Sequence, residues 1–346
     1  MKKIKTALLS YGMSGKVFHA PFLDLHPGFQ LIGACERSKK NIQNDYPYTK
    51  TYDCIDDLLA DDIDLVIVNT PVETHYEFAK KALLSGKNII VEKAFTTTVA
   101  EAEDLKKIAV EQNKKIAVFH NRRWDSDFKT VKHILNRDML GEIVEAEIHF
   151  DRYNPNLSIK IHKETNNPGA GILKDLGSHI IDQALCLFGF PEAVFADIRV
   201  TRENSVVDDC VDLILFYPKI RVRLKAGFFV REALPSYIIH GKKGSFLKSR
   251  GDVQEDELKL GRKPNNQDWG TEPEYKSGII HTEINSVVLR EKVPAFHGNY
   301  MDFFDEMYHA IIDDKIEPVT ADDGIAVMKI IEAAIESNQL KKLIEF

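Results

Sequence analysis

The chain is poor in cysteine: Cys35, Cys54, Cys186 and Cys210 are the only four in 346 residues, far apart and with no CxxC pair. That spacing excludes a disulfide framework and a zinc site built on paired thiolates, and the expectation is no bound metal. A surplus of positive charge is also missing. Lys plus Arg number 46 against 53 Asp plus Glu, a net charge of −7, whereas nucleic-acid binders carry a basic excess. No apolar run approaches the roughly 18 residues that span a bilayer. The first ten residues hold an apolar stretch too short for a signal peptide and no small-residue cleavage site. Repeats and low-complexity tracts are absent as well. These absences predict a soluble, reduced, cytoplasmic protein with neither nucleic-acid nor membrane partners. What is present is a globular balance of 44 % hydrophobic and 29 % charged residues, in a chain long enough for about two domains.

Residues 1–120 alternate strand and helix signals. Short apolar runs at Ile4–Leu9, Phe29–Cys35, Asp64–Asn69, Lys87–Val91 and Lys115–Phe119 fit strands buried on both faces. Between them lie helical patterns such as Thr74–Leu84 and Val99–Gln112, with Gly86 just past the first, as a helix C-terminus prefers. This order predicts an α/β fold, a Rossmann-like doubly wound parallel sheet. From 121 to 346 the character changes. Glu142–Asp151 alternates as a half-buried antiparallel strand does, and further strands are expected at Ala193–Thr201, Cys210–Tyr217, Ile220–Phe229 and Tyr237–His240. Asp252–Gly278 is polar and reads as a long surface loop, and Tyr300–Ile312 and Asp322–Glu336 read as helices. The second domain is therefore expected to be α+β with a mostly antiparallel, open sheet. An exposed sheet of that size points to a homodimer or homotetramer.

The first strand runs into Ser10-Tyr11-Gly12-Met13-Ser14-Gly15 and a helix pattern follows. Glycines here let the backbone approach a pyrophosphate at a helix N-terminus. Glu36, 21 positions after Gly15, stands where an acid bonds the adenosine ribose. Arg37 pulls the other way, because a guanidinium pairs with the extra phosphate of NADP while a carboxylate repels it. The cofactor is thus NAD or NADP, with a slight lean to NAD. The bland alternative makes the glycines a simple turn and Glu36 a surface charge.

Thr70-Pro71-x-x-x-His75 and Glu92-Lys93 each follow a strand, where open α/β sheets bind ligands. In the second half, Asp175, His179 and Asp182 share one face if their segment is helical. A carboxylate one turn from an imidazole orients the ring and raises its basicity, as general acid–base chemistry requires. Taken alone, His179 reads as an interior histidine and Lys93 as a solvated lysine, and a metal site on the Asp-His-Asp face is disfavoured because no other His or Cys cluster offers companions. His120, Asn121 and Arg123 are candidates for the substrate side, as are Arg152, Tyr153 and His162. Trp124 reads as core and Asp208-Asp209 as a solvated charge pair.

Together these motifs resemble the glucose–fructose oxidoreductase / inositol dehydrogenase / MocA family of NAD(P)-dependent oxidoreductases, over essentially the whole chain. The runs Lys16–Pro21, His120–Asp125 and Asp175–Asp182 resemble its scyllo-inositol dehydrogenase branch, which favours NADP. The resemblance implies a catalytic set of Lys93, Asp175 and His179, with Ser10, Gly12, Met13, Ser14, Gly15, Glu36, Arg37, Thr70, Pro71, His75, Glu92 and Lys93 on the coenzyme. It implies hydride transfer between the nicotinamide and a secondary alcohol or ketone of an inositol, polyol or sugar. Proteins of this fold also include NAD-dependent glycoside hydrolases and non-catalytic dinucleotide sensors. Two positions depart from the family pattern. Ser10 replaces the leading glycine, and Ala94 stands where proline supports a bent or cis bond after Glu-Lys.

Overall fold

The computed structural model describes residues 2–36, 39–160 and 163–346, so Arg37 and His162 lie outside the described residues. The chain divides into two compact units.

The first comprises residues 1–121, 254–269 and 299–325. Its sheet has six parallel strands: β1 (Ile4–Leu8), β2 (Phe29–Cys35), β3 (Lys50–Tyr52), β4 (Leu65–Val68), β5 (Asn88–Glu92) and β6 (Ile116–Phe119), in the order β3-β2-β1-β4-β5-β6. β4 and β6 are buried along their whole length, which is why they read as continuous apolar runs rather than alternating ones. The order reverses between β1 and β4, and doubly wound sheets bind ligands at the carboxyl ends of the strands at such a point. Gly86 ends the helix His75–Leu84 at φ +75°. Thr98 and Glu101 cap Val99–Glu111 reciprocally. The helix Met301–Ile312 buries Phe303 and Phe304 in this unit, with ring centroids 4.9 Å from Phe119 and 5.3 Å from Phe22 respectively.

The second unit holds a nine-stranded sheet. Its strands are β7 (Ile143–His149), β8 (Ala193–Arg199), β9 (Cys210–Phe216), β10 (Arg221–Gly227), β11 (Tyr237–Gly241), β12 (Gly244–Lys248), β13 (Gly278–Ile284), β14 (Val287–Val293) and β15 (Ile344–Glu345), in the order β14-β13-β12-β11-β7-β10-β9-β8-β15. Every neighbouring pair is antiparallel except β7–β10. β7 is therefore antiparallel to one neighbour and parallel to the other, a distinction that alternation along a single strand does not carry. Helix Ser178–Phe188 packs on β7 and β10 with Ile180, Ile181 and Ala184 fully buried.

Two expectations are corrected. Residues 252–278 are not all surface loop: Gln254–Lys259 is helical, and Gln254, Leu258 and Trp269 are buried. The Gln254 carboxamide oxygen accepts hydrogen bonds from the Trp269 indole (3.1 Å) and from the Tyr300 N–H (2.8 Å). A polar composition concealed a buried anchor because its polar side chain is satisfied inside. Asp208-Asp209 is not a solvated pair either: Asp209 is fully buried, and burial pushes the Asp208 carboxyl up despite backbone N–H donors.

Candidate active site

In the first unit, β1 leaves the sheet through Leu9 and Ser10. The Ser10 N–H donates to Asn69 Oδ1 (3.0 Å), and Asn69 Nδ2 donates back to the Ser10 carbonyl (2.8 Å). This pair ties together the carboxyl ends of β1 and β4, which are neighbours in the sheet. The Gly12 N–H donates to Ser10 Oγ at 3.2 Å. Ser10 does not take a positive φ, so its departure from glycine needs no left-handed backbone. Gly15 has no such freedom. A Cβ there would run into the Ser10 carbonyl oxygen and lie 3.0 Å from Asn69 Nδ2. Gly15 opens a wide π-helical turn, Gly15–His19, a form of helix that occurs frequently at functional sites. A cavity of about 660 Å³ lies here, lined among others by Ser10, Gly12, Glu36, Lys39, Thr70 and Pro71. That size suits a small-molecule ligand. Met13 is exposed.

Glu36 is engaged by its own chain. Its carboxylate oxygens accept the N–H groups of Asn41 (3.1 Å) and Ile42 (3.0 Å), at the start of the short helix Asn41–Asp45. His75 is fully buried. Its Nε2 faces the Thr70 carbonyl at 2.9 Å, and its Nδ1 faces the Ala94 and Phe95 carbonyls at 3.0 and 3.2 Å. Burial lowers its pKa against the pull of those carbonyls, and the ring lies between the Thr70 turn and the segment after β5.

At the end of β5, Glu92 accepts hydrogen bonds from Ser14 Oγ and from His19 Nε2 (2.9 Å). Burial pushes the Glu92 carboxyl up. The His19 and Ser14 bonds and the Lys93 charge outweigh it and hold the group below its usual range. The Lys93 N–H donates to Glu92 Oε2 at 3.3 Å, and the Lys93–Ala94 peptide bond is cis. Lys93 thus leaves the sheet half-buried beside a carboxylate that is itself anchored to the glycine turn. His120 and Asn121 are buried at the end of this unit's main segment.

In the second unit, Asp175 lies in another π-helical turn, Leu173–Gly177, which runs directly into Ser178–Phe188. Asp175 is partly exposed, and Lys163 Nζ donates to its Oδ2 at 2.7 Å. His179 is buried, its ring centroid 6.3 Å from that of Phe150. Asp182 shares the segment but serves elsewhere: Arg123 Nε donates to its Oδ2 at 3.0 Å and Arg123 Nη2 to its Oδ1 at 2.6 Å. Tyr153 is half-exposed under the Arg231 guanidinium, which lies 3.9 Å from the ring centroid. Trp124 is buried. Lys93 therefore belongs to the first unit, and Asp175 and His179 to the second.

Two family models match the chain. An oxidoreductase-family NAD-binding Rossmann fold covers residues 4–120, and the same family's C-terminal alpha/beta domain covers residues 132–346. The chain belongs to the Gfo/Idh/MocA oxidoreductase family. It is 38 % identical to the scyllo-inositol 2-dehydrogenase (NADP(+)) IolW of Bacillus subtilis strain 168, over 99 % of this chain and 95 % of that protein. Its fold matches the structure of the Bacillus subtilis protein yvaA with a TM-score of 0.95 at 37 % identity, covering 100 % and 99 % of the two chains. An oxidoreductase from Bacillus cereus gives a TM-score of 0.92 at 29 % identity, covering 99 % of each chain. The chain is thus an oxidoreductase-family protein with an NAD(P)-binding Rossmann domain.

Within this Gfo/Idh/MocA chain, the sequence reading missed Asn69, Lys163 and the capping role of Glu36. Asn69 carried a signal, a polar residue ending an apolar strand. Lys163 carried none, because a lone lysine in a polar segment reads as solvated surface.

Proposed function

We propose that this chain is an NADP-linked dehydrogenase of a cyclic polyol, an inositol or a related sugar, oxidising a secondary alcohol or reducing the matching ketone. The observation that carries the coenzyme side is the Gly15 cradle, where any Cβ would fill the space against the Ser10 carbonyl. A glycine at this point lets the turn pack tightly against the end of β1 while its backbone faces a pyrophosphate. Ser10, Gly12, Thr70 and Pro71 line the cavity beside it, so these residues fit a dinucleotide. The preference for NADP rests on Glu36. The lean to NAD assumed a carboxylate open to the ribose, but both Glu36 oxygens are spent on helix N–H groups, which offset their charge. Lys39 lines the same cavity with a cationic donor. The similarity to an NADP-dependent scyllo-inositol dehydrogenase points the same way.

When bound, the nicotinamide supplies or accepts the hydride. Lys93 donates a hydrogen bond to the reacting oxygen and stabilises its developing charge. His179 takes the hydroxyl proton on its imidazole as general base, and Asp175 orients that exchange. The second unit supplies the hydroxyl-recognising side chains that a polyol requires.

The test is absorbance at 340 nm with NADP⁺ and NAD⁺ in parallel against a panel of inositols and aldoses. A rise with NADP⁺ and one cyclic polyol is expected. A rise with NAD⁺ alone removes the coenzyme assignment. A flat trace with coenzyme binding confirmed moves the chain to the sensor reading. Release of nitrophenol from aryl glycosides without net NADH moves it to the hydrolase reading.

A further inference from the structure

We infer that Lys163 is a positioning residue for the Asp175 carboxylate, set by two adjacent aspartates that each anchor one side of the pair. The inference rests on the role of Asp175 proposed above. The Lys163 ammonium donates to Asp175 Oδ2 at 2.7 Å, with the two side chains 41 % and 33 % exposed. An ion pair as wet as this adds little to stability.

The backbone on both sides is nevertheless held at many points. Glu164, the next residue, accepts Arg202 Nη1 and Nη2 on its two oxygens (3.0 and 2.9 Å) and also the Ser158 N–H (2.7 Å). Arg202 Nη1 donates further to the Asn156 carbonyl at 3.1 Å, and the guanidinium lies 4.8 Å from the Phe228 ring centroid. Its Nε donates to Asp209 Oδ2 at 3.1 Å, with the Arg202 side chain 2 % exposed and that of Asp209 fully buried. Asp209 is itself fixed by the N–H groups of Thr201 and Arg202.

Asp208, the preceding residue, holds the other side. Its Oδ2 accepts the Leu173 N–H and its carbonyl accepts the Ile172 N–H, both at 2.8 Å, where the Asp175 turn begins. Gly171 enters that turn at φ +95°, and a Cβ there would strike the Asp208 carboxylate. Burying an Arg202–Glu164–Asp209 network costs desolvation that its attraction returns only in part. What the network yields is a fixed geometry. Asp209 thereby sets the backbone beside Lys163, and Asp208 sets the backbone carrying Asp175.

The experiment measures kcat and KM of Lys163→Met, Lys163→Arg, Asp175→Asn and the double variant Lys163→Met/Asp175→Asn, with NADP⁺ and scyllo-inositol as the probe. Lys163→Met is expected to lower kcat about tenfold or more, the scale of a misplaced group, with the NADPH Kd unchanged. Lys163→Arg is expected to recover most of the rate. The double variant is expected to be no slower than Asp175→Asn alone, because Lys163 acts through that carboxylate. Glu164→Gln, which loosens the anchor without touching the pair, is expected to show a smaller drop of the same kind. Losses that multiply in the double variant, or a wild-type kcat in Lys163→Met, overturn the inference. A fully active Asp175→Asn instead removes the role of Asp175 and the inference with it. An inactive Asp175→Asn beside a normal Lys163→Met removes only the role of Lys163.

Discussion

The two units build their candidate sites from different material. In the first, the backbone does most of it: parallel strands end together, a glycine turn follows β1, and side chains such as Asn69, Glu36 and His75 bond to main-chain groups. In the second, side chains bond to side chains across long stretches of sequence. Arg123 reaches Asp182, 59 positions away, and Arg202 reaches Glu164, 38 positions away. Both units place a π-helical turn at the critical point, Gly15–His19 in one and Leu173–Gly177 in the other. The contrast teaches that a backbone-built site demands particular residue types at fixed spacing. A site built from ion pairs accepts any partner of opposite charge that folding delivers.

The largest expected effect tests whether the first unit does more than hold coenzyme. Lys93→Ala is expected to cut kcat by about a thousandfold, the combined scale of charge stabilisation and acid–base assistance, while NADPH still binds by fluorescence titration. Near-normal turnover would leave the first unit a pure binding scaffold. Next, Asp182→Asn tests the ion-paired construction of the second unit. It leaves Arg123, whose side chain is 15 % exposed, without its carboxylate. Breaking a buried pair costs about 3–5 kcal/mol, so a clear fall in Tm is expected, and an unchanged melt would show that the pair holds nothing. A smaller effect is expected from Lys39→Glu, where NADPH affinity should drop about tenfold, the scale of one lost charge-assisted contact, with NADH affinity nearly unchanged. Equal losses for both coenzymes would detach Lys39 from the extra phosphate.

The smallest effect sharpens the comparison through two buried histidines with opposite behaviour. Burial lowers the pKa of His75 in the first unit. Below its ordinary value near 6.5, the unfolded chain takes up a proton that folded His75 refuses. Its contribution to stability is therefore present above that pH and fades on acidification. His149 in the second unit also feels burial, which lowers its pKa. The Asp151 and Glu147 carboxylates, at 3.0 and 2.8 Å, outweigh this and raise it. Its contribution is complete below the ordinary value and is lost as pH climbs through the raised one. Denaturant melts at pH 5 and pH 8 should show the gap between wild type and His75→Gln narrowing in acid and the gap for His149→Gln widening. Two gaps moving in the same direction would contradict the assigned charge states.

The glycine turn, the strand ends carrying Thr70 and Glu92, and the parallel sheet were legible because each follows from periodicity and turn chemistry within a few residues. Asp175 and His179 were legible as a spacing, but the π-helical turn under them was not, since nothing in Leu173–Gly177 marks a wider helix. The buried anchors Gln254 and Asp208-Asp209 were hidden for one reason: polar residues read as surface unless their partners are known. The strands β12 to β14 escaped because their composition is mixed: β14 has no buried residue along its length.

By itself the sequence determined the α/β architecture, the family and the residue types at the glycine turn, because hydrophobic period and glycine sterics are local. Only the tertiary structure decided that Glu36 spends its carboxylate on a helix end, that Asp182 belongs to Arg123 and that Lys163 meets Asp175. Those choices depend on which charges folding brings within about 3 Å, the hydrogen-bonding range, and a distance of that kind is not encoded in any one stretch of chain.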